Sequence, residues 1–475
     1  MKAGKIALFF ASIVAALAVI CACFPSDGVT VGGHSFYLPS IHSLAETNKP
    51  VPEEDPEAAR RDSLLLAEAT EVSDSIALIQ AHTDSSDTRF WLPDSTFFDA
   101  FWAAAEGAVD NDRVVRILHY GDSQIEMDRM SAQLRASMQQ TFGGGGPGMI
   151  PFHTIIPTYA VRQSTSGTLT HLASFGDSTV TRSRGNYGPM MQCFRMDGQA
   201  TLTIRAATHS SVDEAVKHFS RVMLVFNNRG DNLRLSIDDK EIDTAFADSY
   251  DSPGVGAIDY KTSAQRTYFR LHVSGKADLY GVTVDDGPGV AVDNIPMRGC
   301  SGQQFTLVNR ELLSQAYDIL DVGIIIMQFG GNSVPYLRNE KSISTYCQSI
   351  GRQIDYVRSC CPKAKILFIG PSDMSTREKG NLQTYSSLPT LIDSLRATVN
   401  RHGAAYWSIY HAMGGWNSMV EWNKKGLAGS DYVHFTPRGA EIMGSRLAEA
   451  FADNYRLYCL RRRLHQQFNE ELPSL

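Results

Sequence analysis

Apolar and polar positions divide the chain into stretches of different rhythm. Ile6 to Phe24 is one uncharged apolar run, preceded by Lys2 and Lys5. Residues 25–88 then turn polar, with Pro39, Pro50, Pro52 and Pro56 among many Glu, Asp and Ser. Such composition buries too little surface to offset chain entropy, so this segment is predicted to be a tether. Within it, Leu64, Leu65, Ile76 and Ile79 mark a marginal helix over Glu57–Gln80. From Phe90 the pattern is that of a folded protein. Phe97, Phe98, Phe101, Trp102 and Ala105 recur at helical spacing behind Asp94 or Ser95 as cap. Val114–Tyr120 reads as a buried strand, Gly121-Asp122-Ser123-Gln124 as a tight turn, and Met127 to about Phe142 as a helix stopped by four glycines.

Between about 160 and 290 the apolar runs become short and alternating. Turn signals such as Asn228-Arg-Gly-Asp231 and Ser274-Gly275 separate them, which predicts an antiparallel β-sandwich. Beyond 300 strands and helices alternate again. Strands are expected at Gly323–Met327, Lys365–Ile369 and Ala404–Ile409, with helices near 343–359 and 386–401. A last helix runs from Pro437 to about His465, with Thr436 at its N-cap and Arg461, Arg462 and Arg463 in its final turns. The fold class is therefore α/β: a flavodoxin-like, doubly wound, three-layer domain in two parts, 89–155 and 292–475, interrupted by a β-sandwich insert over 156–291.

Segment 1–24 has the charged start and apolar core of an export signal. Its apolar run of 19 residues is also long enough for a membrane anchor, which takes roughly 17–25. Three readings are open: a cleaved signal peptide, an uncleaved helix with Lys2 and Lys5 on the cytoplasmic side, or a lipoprotein. For the last, Ile20-Cys21-Ala22-Cys23 resembles a loose lipobox with Cys23 as the acylated residue. All three predict an exported, periplasmic protein, held at a membrane by a lipid on Cys23 or by the helix in the latter two.

Composition narrows the classes of function. Hydrophobic residues make up 43% and charged residues 20%, which excludes a wholly disordered chain. The 44 basic against 51 acidic residues give −7, and no basic stripe is present, so nucleic acid is excluded as a main partner. The 8 cysteines are too few for a disulfide scaffold. Cys347, Cys360 and Cys361 could support one disulfide after export, whereas Cys193, Cys300 and Cys459 have no obvious mates. No Cys/His cluster has zinc-ligand spacing, and no cofactor or metal is expected.

Open α/β sheets bind ligands beyond the carboxyl ends of their strands, and three polar clusters fall there. Ser123 follows the first strand, Asn332 lies in Gln328-Phe-Gly-Gly-Asn332 after another, and Asp431 and His434 precede the last helix. A serine becomes a nucleophile at neutral pH only with a base, and the base needs an orienting acceptor. His434 and Asp431, three residues apart, can supply both. The Ser123 N–H, a glycine N–H and the Asn332 amide can supply the donors of an oxyanion hole.

Gly121-Asp122-Ser123, Gly299, Gly330-x-Asn332 and Asp431-x-x-His434 resemble, in order, the four motif blocks of the SGNH (GDSL-like) hydrolases. Any one block is weak, but four in order are strong. The chain is most similar to the peptidoglycan O-acetylesterases of Gram-negative bacteria, which carry a carbohydrate-binding-module-like insert between the first two blocks. Here about 175 residues separate Ser123 from Gly299. Gly143–Gly148, Ala412-Met-Gly-Gly415 and Gly426–Phe435 also look shared. The resemblance implies Ser123 as nucleophile, His434 as general base and Asp431 as its orienter, with Ser123, Gly299 and Asn332 forming the oxyanion hole and no metal. It implies an O-acetylated polysaccharide as substrate, with peptidoglycan as the expected polymer. Two departures stand out. Gln124 replaces the usual leucine or histidine, and Ser333 replaces a frequent acidic residue; both bear on substrate fit more than on catalysis. Alternatives are an acetylesterase for dietary or host glycans, a lipase or thioesterase, and a non-catalytic, envelope-tethered glycan-binding protein.

Other residues have plainer readings. Ser123 taken alone would be a helix cap. His119, on a strand, is expected in the core or behind the site, and His411 is more often structural than a pocket residue. The glycine run 143–148 follows a helix and lacks the Lys-Ser/Thr of a phosphate loop, so that reading is rejected. Trp407 is expected in the core, and Trp416 and Trp422 are candidates for stacking on sugar rings.

Overall fold

The computed structural model of the protein describes residues 3–23, 29–31, 34–36, 56–85, 88–176, 180–183, 185–209, 212–229, 233–242, 254–378 and 380–471. It divides into two compact units, Met1–Val72 and Ser73–Leu475. In the first unit the apolar run forms helix α1 (Ala3–Cys23), with Leu8, Phe9, Phe10, Val14 and Val19 exposed. Among the described residues no helix is long and apolar enough to cross a membrane. A short hairpin, β1 (Val29–Val31) with β2 (His34–Phe36), lies in the polar segment. It was not expected, because three-residue strands carry almost no periodicity. The marginal helix is present as α2 (Pro56–Ser85).

In the second unit, Trp91 and Tyr406 exchange backbone hydrogen bonds of 2.8 and 2.9 Å, fixing where the fold begins. Helix α3 (Asp99–Glu106) starts later than expected. Asp94 caps the preceding turn instead, accepting from the Thr96 N–H at 2.9 Å. Strand β3 (Val114–Gly121) is buried throughout. The following helix, α4 (Ser131–Phe142), also begins later than Met127, because Met127 and Asp128 both adopt left-handed backbone (φ 62° and 66°). That kink gives the chain room to turn around the site described below.

The insert comprises β4 (Gly148–Ile150), β5 (Val161–Ala173), β6 (Gln192–Ala206), β7 (Phe219–Asn228), β8 (Arg234–Ile237), β9 (Lys240–Ile242), β10 (Val255–Arg266) and β11 (Tyr268–Asp285). All pairings are antiparallel, and the strands form one eight-stranded hydrogen-bonded sheet. The 18-residue β11 joins its parts. It pairs with β6 and β8 along its first half and with β7 and β4 along its second, with a bulge between Leu279 and Gly281. The inward residues, among them Phe194, Leu202, Phe219, Leu224, Phe269 and Leu271, enclose a core of their own.

Pairing passes back to the parallel sheet at β12 (Gly289–Pro296). Then come α5 (Arg310–Ile319), β13 (Val322–Gln328), α6 (Glu340–Cys360), β14 (Lys365–Gly370), the hairpin β15 (Ser375–Glu378) and β16 (Asn381–Thr384), α7 (Leu388–Arg401), β17 (Ala405–Ser408), α8 (Ile409–Met413), α9 (Ser418–Lys424) and α10 (Pro437–Glu471). The five parallel strands lie in the order β12-β3-β13-β14-β17, the flavodoxin-like sequence 2-1-3-4-5. Period-two alternation sends Val115, Ile117, Ile324 and Ile326 to the face covered by α3, α4 and α10. Leu118, Tyr120, Ile325 and Met327 go to the face covered by α5, α6 and α7. The result is the expected three-layer domain.

Two features fasten the insert to this domain. Arg116 of β3, fully buried, pairs with Asp293 of β12 at 3.0 Å and with Asp285 at the end of β11. The glycine run 143–148 lies flat on neighbouring backbone. A Cβ at Gly146 would come within 2.4 Å of the Val284 carbonyl, and one at Gly148 within 2.3 Å of an Asp293 carboxylate oxygen. Close packing therefore accounts for the run.

The arginines expected in the last turns of the final helix lie mid-helix, since α10 continues to Glu471. Arg461 pairs with Asp99 at 2.5 Å and Arg462 with Glu106, so they dock α10 on α3 rather than cap it. All cysteines whose side chains are described are free, so the disulfide suggested for Cys347, Cys360 and Cys361 does not form. Trp407 is core, as expected, and Trp422 is buried with its Nε1–H on the Met413 carbonyl.

Candidate active site

The candidate residues converge at the carboxyl ends of β3 and β13, where the strand order reverses. β3 ends at Gly121, whose carbonyl accepts from the Met297 N–H at 2.7 Å, and the Asp122 N–H donates to the Gln328 carbonyl at 3.3 Å. Three strand ends are thereby laced together. Asp122 accepts from the Gln124 N–H at 3.0 Å and starts a short turn, Ser123–Ile125, that presents the Ser123 hydroxyl to a cleft of about 660 Å³.

Across this cleft stands the loop before α10. It is closed by backbone bonds from Gly429 N–H to His434 carbonyl (2.8 Å) and from Thr436 N–H to Leu427 carbonyl (3.0 Å). Asp431 does double duty within it. One carboxylate oxygen accepts the Val433 and His434 N–H groups at 3.0 and 3.1 Å, and the other faces His434 Nδ1 at 2.7 Å. Burial acts to raise the Asp431 pKa, but the bonds from His434 and Val433 outweigh it and hold the carboxyl below its ordinary value. An ionised Asp431 can only accept, so His434 carries its proton on Nδ1 and offers a bare Nε2. Ser123 Oγ lies 2.8 Å from that nitrogen and donates to it.

Gly299 and Asn332 line the same cleft. Gly299 has left-handed backbone (φ 75°), which glycine adopts without a Cβ penalty. Among the described residues, the Ser123 and Gly299 N–H groups donate to no acceptor. Asn332 differs: its amide donates to Asp122 at 3.2 Å and to the Cys300 carbonyl at 2.9 Å. Its two protons are thus engaged, and the longer contact to Asp122 is the one a negatively charged ligand atom would draw away. Asp122 is buried, and burial pushes its carboxyl up to about 6 despite the opposing hydrogen bond from Gln124.

Two residues whose contribution sequence reasoning missed hold these parts in register. Gln124 was expected to influence substrate fit. It lines the cleft, and its buried side chain also ties the Ser123 turn to the loop before α10, donating to the Val433 carbonyl at 2.6 Å and accepting from the Phe435 N–H at 3.3 Å. Those groups flank His434 on either side. Arg129 donates to the carbonyls of Ser123 (3.0 Å), Glu126 (2.9 Å) and Phe435 (3.1 Å). The only sequence signal for Gln124 was its departure from the family pattern, and Arg129 had none. Ser333 is buried, and its N–H donates to the Gly330 carbonyl within the turn that carries Asn332.

His119 lies in the core behind the site. Its ring contacts Gln328 Oε1 at 3.0 Å and Ser131 Oγ at 2.9 Å, and burial lowers its pKa to about 4, so it stays neutral. His411 packs on Trp91 and bonds Ser408, away from the cleft. Trp416 is exposed but does not line the cleft.

No family profile and no curated protein matches the chain in sequence. Solved structures do match. One described as "Peptidoglycan O-acetylesterase in action, 5 min" is 19% identical, with a TM-score of 0.62 over 77% of this chain and 99% of its own. A family two carbohydrate esterase from Cellvibrio japonicus is 11% identical, with a TM-score of 0.26 over 62% of this chain and 99% of its own. A carbohydrate esterase family 2 enzyme with a carbohydrate-binding domain from Corynascus thermopiles is 11% identical, with a TM-score of 0.26 over 60% of this chain and 99% of its own. The chain therefore has the fold of the first of these structures over nearly that protein's whole length: a doubly wound α/β domain with an antiparallel insert.

Proposed function

We propose that the protein is an exported serine esterase that removes O-acetyl groups from a cell-envelope polysaccharide, with peptidoglycan as the substrate. The observation that carries this reading is the line Ser123 Oγ–His434 Nε2 (2.8 Å) and His434 Nδ1–Asp431 (2.7 Å), in a cleft also lined by Gly299, whose N–H, like that of Ser123, donates to no acceptor among the described residues. Ser123 Oγ attacks the acetyl carbonyl carbon as its proton passes to His434 Nε2. The carbonyl oxygen becomes an oxyanion, which the Ser123 and Gly299 N–H groups and the Asn332 amide stabilise. The intermediate collapses, the sugar oxygen leaves with the proton from His434, and an acetyl ester remains on Ser123. Water then attacks that ester while His434 takes its proton, and acetate departs as Ser123 recovers its hydrogen. Asp431 keeps the ring oriented and offsets the charge that His434 gains.

Two further observations favour a glycan. A solved structure of like fold is described as a peptidoglycan O-acetylesterase, and polar side chains such as Ser372, Gln328 and Arg298 stand beside apolar ones in the cleft wall, a mixed lining that suits a sugar with polar edges and an apolar face. Export is supported by Lys2 and Lys5 ahead of the apolar run, and attachment by the lipobox-like Ile20-Cys21-Ala22-Cys23. The test is acetate release from purified O-acetylated peptidoglycan, acetylated xylan and longer acyl esters in parallel. The reading expects the first to be hydrolysed fastest; preference for xylan or a long acyl chain would overturn the substrate assignment.

A further inference from the structure

A second hollow, of about 700 Å³, adjoins the catalytic cleft, and the two share Gly299, Asn332 and Tyr336 in their walls. Tyr336 ends the turn Gly331–Tyr336 that carries Asn332. That turn is anchored by the buried Ser333 and Val334, with backbone bonds from Ser333 N–H to Gly330 carbonyl (2.9 Å) and from Leu337 N–H to Val334 carbonyl (3.2 Å). Its backbone is therefore fixed, yet the Tyr336 side chain is 78% exposed on the rim between the hollows. No core packing accounts for an aromatic ring held there.

The second hollow mixes hydroxyls and amides, from Ser301, Gln303, Asn339, Ser342 and Thr345, with Lys341 and the apolar faces of Leu337 and Tyr346. An acyl chain would leave those hydroxyls and amides without partners on burial, which costs free energy. A sugar ring fits it better. Hydroxyl edges find donors and acceptors there, while an aromatic ring offers a flat face to the apolar side of the sugar.

We infer that this second hollow is a subsite for the sugar next to the acetylated one, with Tyr336 as the platform over which the chain crosses, so that the site is built for a polymer and not for a monosaccharide ester. The inference rests on the glycan reading proposed above and deepens it. It is tested by binding, which needs no turnover. The Ser123→Ala protein is titrated calorimetrically with de-O-acetylated peptidoglycan glycan fragments of one, two and four sugars. Affinity should rise at least about tenfold from one sugar to four. That gain should vanish in Tyr336→Ala and in Thr345→Trp, which places a bulky ring on the wall of the hollow. Equal affinity for all lengths, no binding of any fragment, or a length gain that survives both substitutions would overturn the inference. Loss of acetate release from every glycan by the wild-type protein would instead strike the proposed function, so the two failures are separable.

Discussion

Gln124→Leu removes the polar tie between the nucleophile turn and the histidine loop while keeping the volume of the side chain. The wild-type amide donates to the Val433 carbonyl at 2.6 Å and to Ser372 Oγ at 3.3 Å, and accepts from the Phe435 N–H at 3.3 Å. Leaving a buried polar group unpaired costs ~1–3 kcal/mol. With one carbonyl and one N–H stranded beside His434, the loop is destabilised by about 2–6 kcal/mol unless it shifts toward water. A shift relieves the cost but moves the base, and a displacement of ~1 Å at a reacting group can lower the rate by ~10²-fold. We therefore expect kcat to fall about 10- to 100-fold on 4-nitrophenyl acetate, with KM changed less than about threefold, because substrate contacts remain. Steady-state kinetics beside a thermal melt makes the check. A kcat within about twofold of wild type, together with a lowered melting temperature, would show that Gln124 stabilises the fold without positioning the base.

Three further outcomes are expected. Asp431→Asn removes the acceptor that fixes the His434 tautomer, so kcat should drop by about 10²–10⁴-fold with the melting temperature nearly unchanged; a smaller loss would show that the loop backbone alone orients the ring. Asp122 carries a folded-state pKa of about 6, above the roughly 3.9 of an unfolded aspartate. The folded form thus holds a proton that the unfolded form has lost, and stability falls as pH rises from about 4 to 6. Urea unfolding across that range should show wild type losing on the order of 2–3 kcal/mol relative to Asp122→Asn; parallel curves would contradict it. Arg116→Met strands Asp285 and Asp293 in the buried joint between insert and domain, so it should cost about 3–5 kcal/mol. Chemical denaturation giving under about 1 kcal/mol would contradict an uncompensated charge in that joint.

The parallel sheet was legible because strands buried on both faces read as continuous apolar runs, as in Gly323–Met327, and because a proline follows a threonine cap at α10. The catalytic line was legible because Asp431 and His434 are close in sequence and the motif blocks fall at strand ends. Helix starts were less so. Asp94 and Met127 sit in segments with good helical pattern, but local hydrogen bonding in one case and left-handed backbone in the other delay the helix. Long-range polar ties escaped detection altogether. Nothing local to Arg129 says that its guanidinium reaches the carbonyl of Phe435, 306 residues away, and the pairing of Arg461 and Arg462 with α3 depends on how two helices meet.

The central claim is that Ser123 is the nucleophile of an acetyl-ester hydrolysis, and acetate release from O-acetylated peptidoglycan by wild type and Ser123→Ala tests it most directly. The account predicts steady release by wild type and a loss of at least about 10³-fold in the variant, with circular dichroism and melting temperature unchanged. Turnover by Ser123→Ala at the wild-type rate would contradict it.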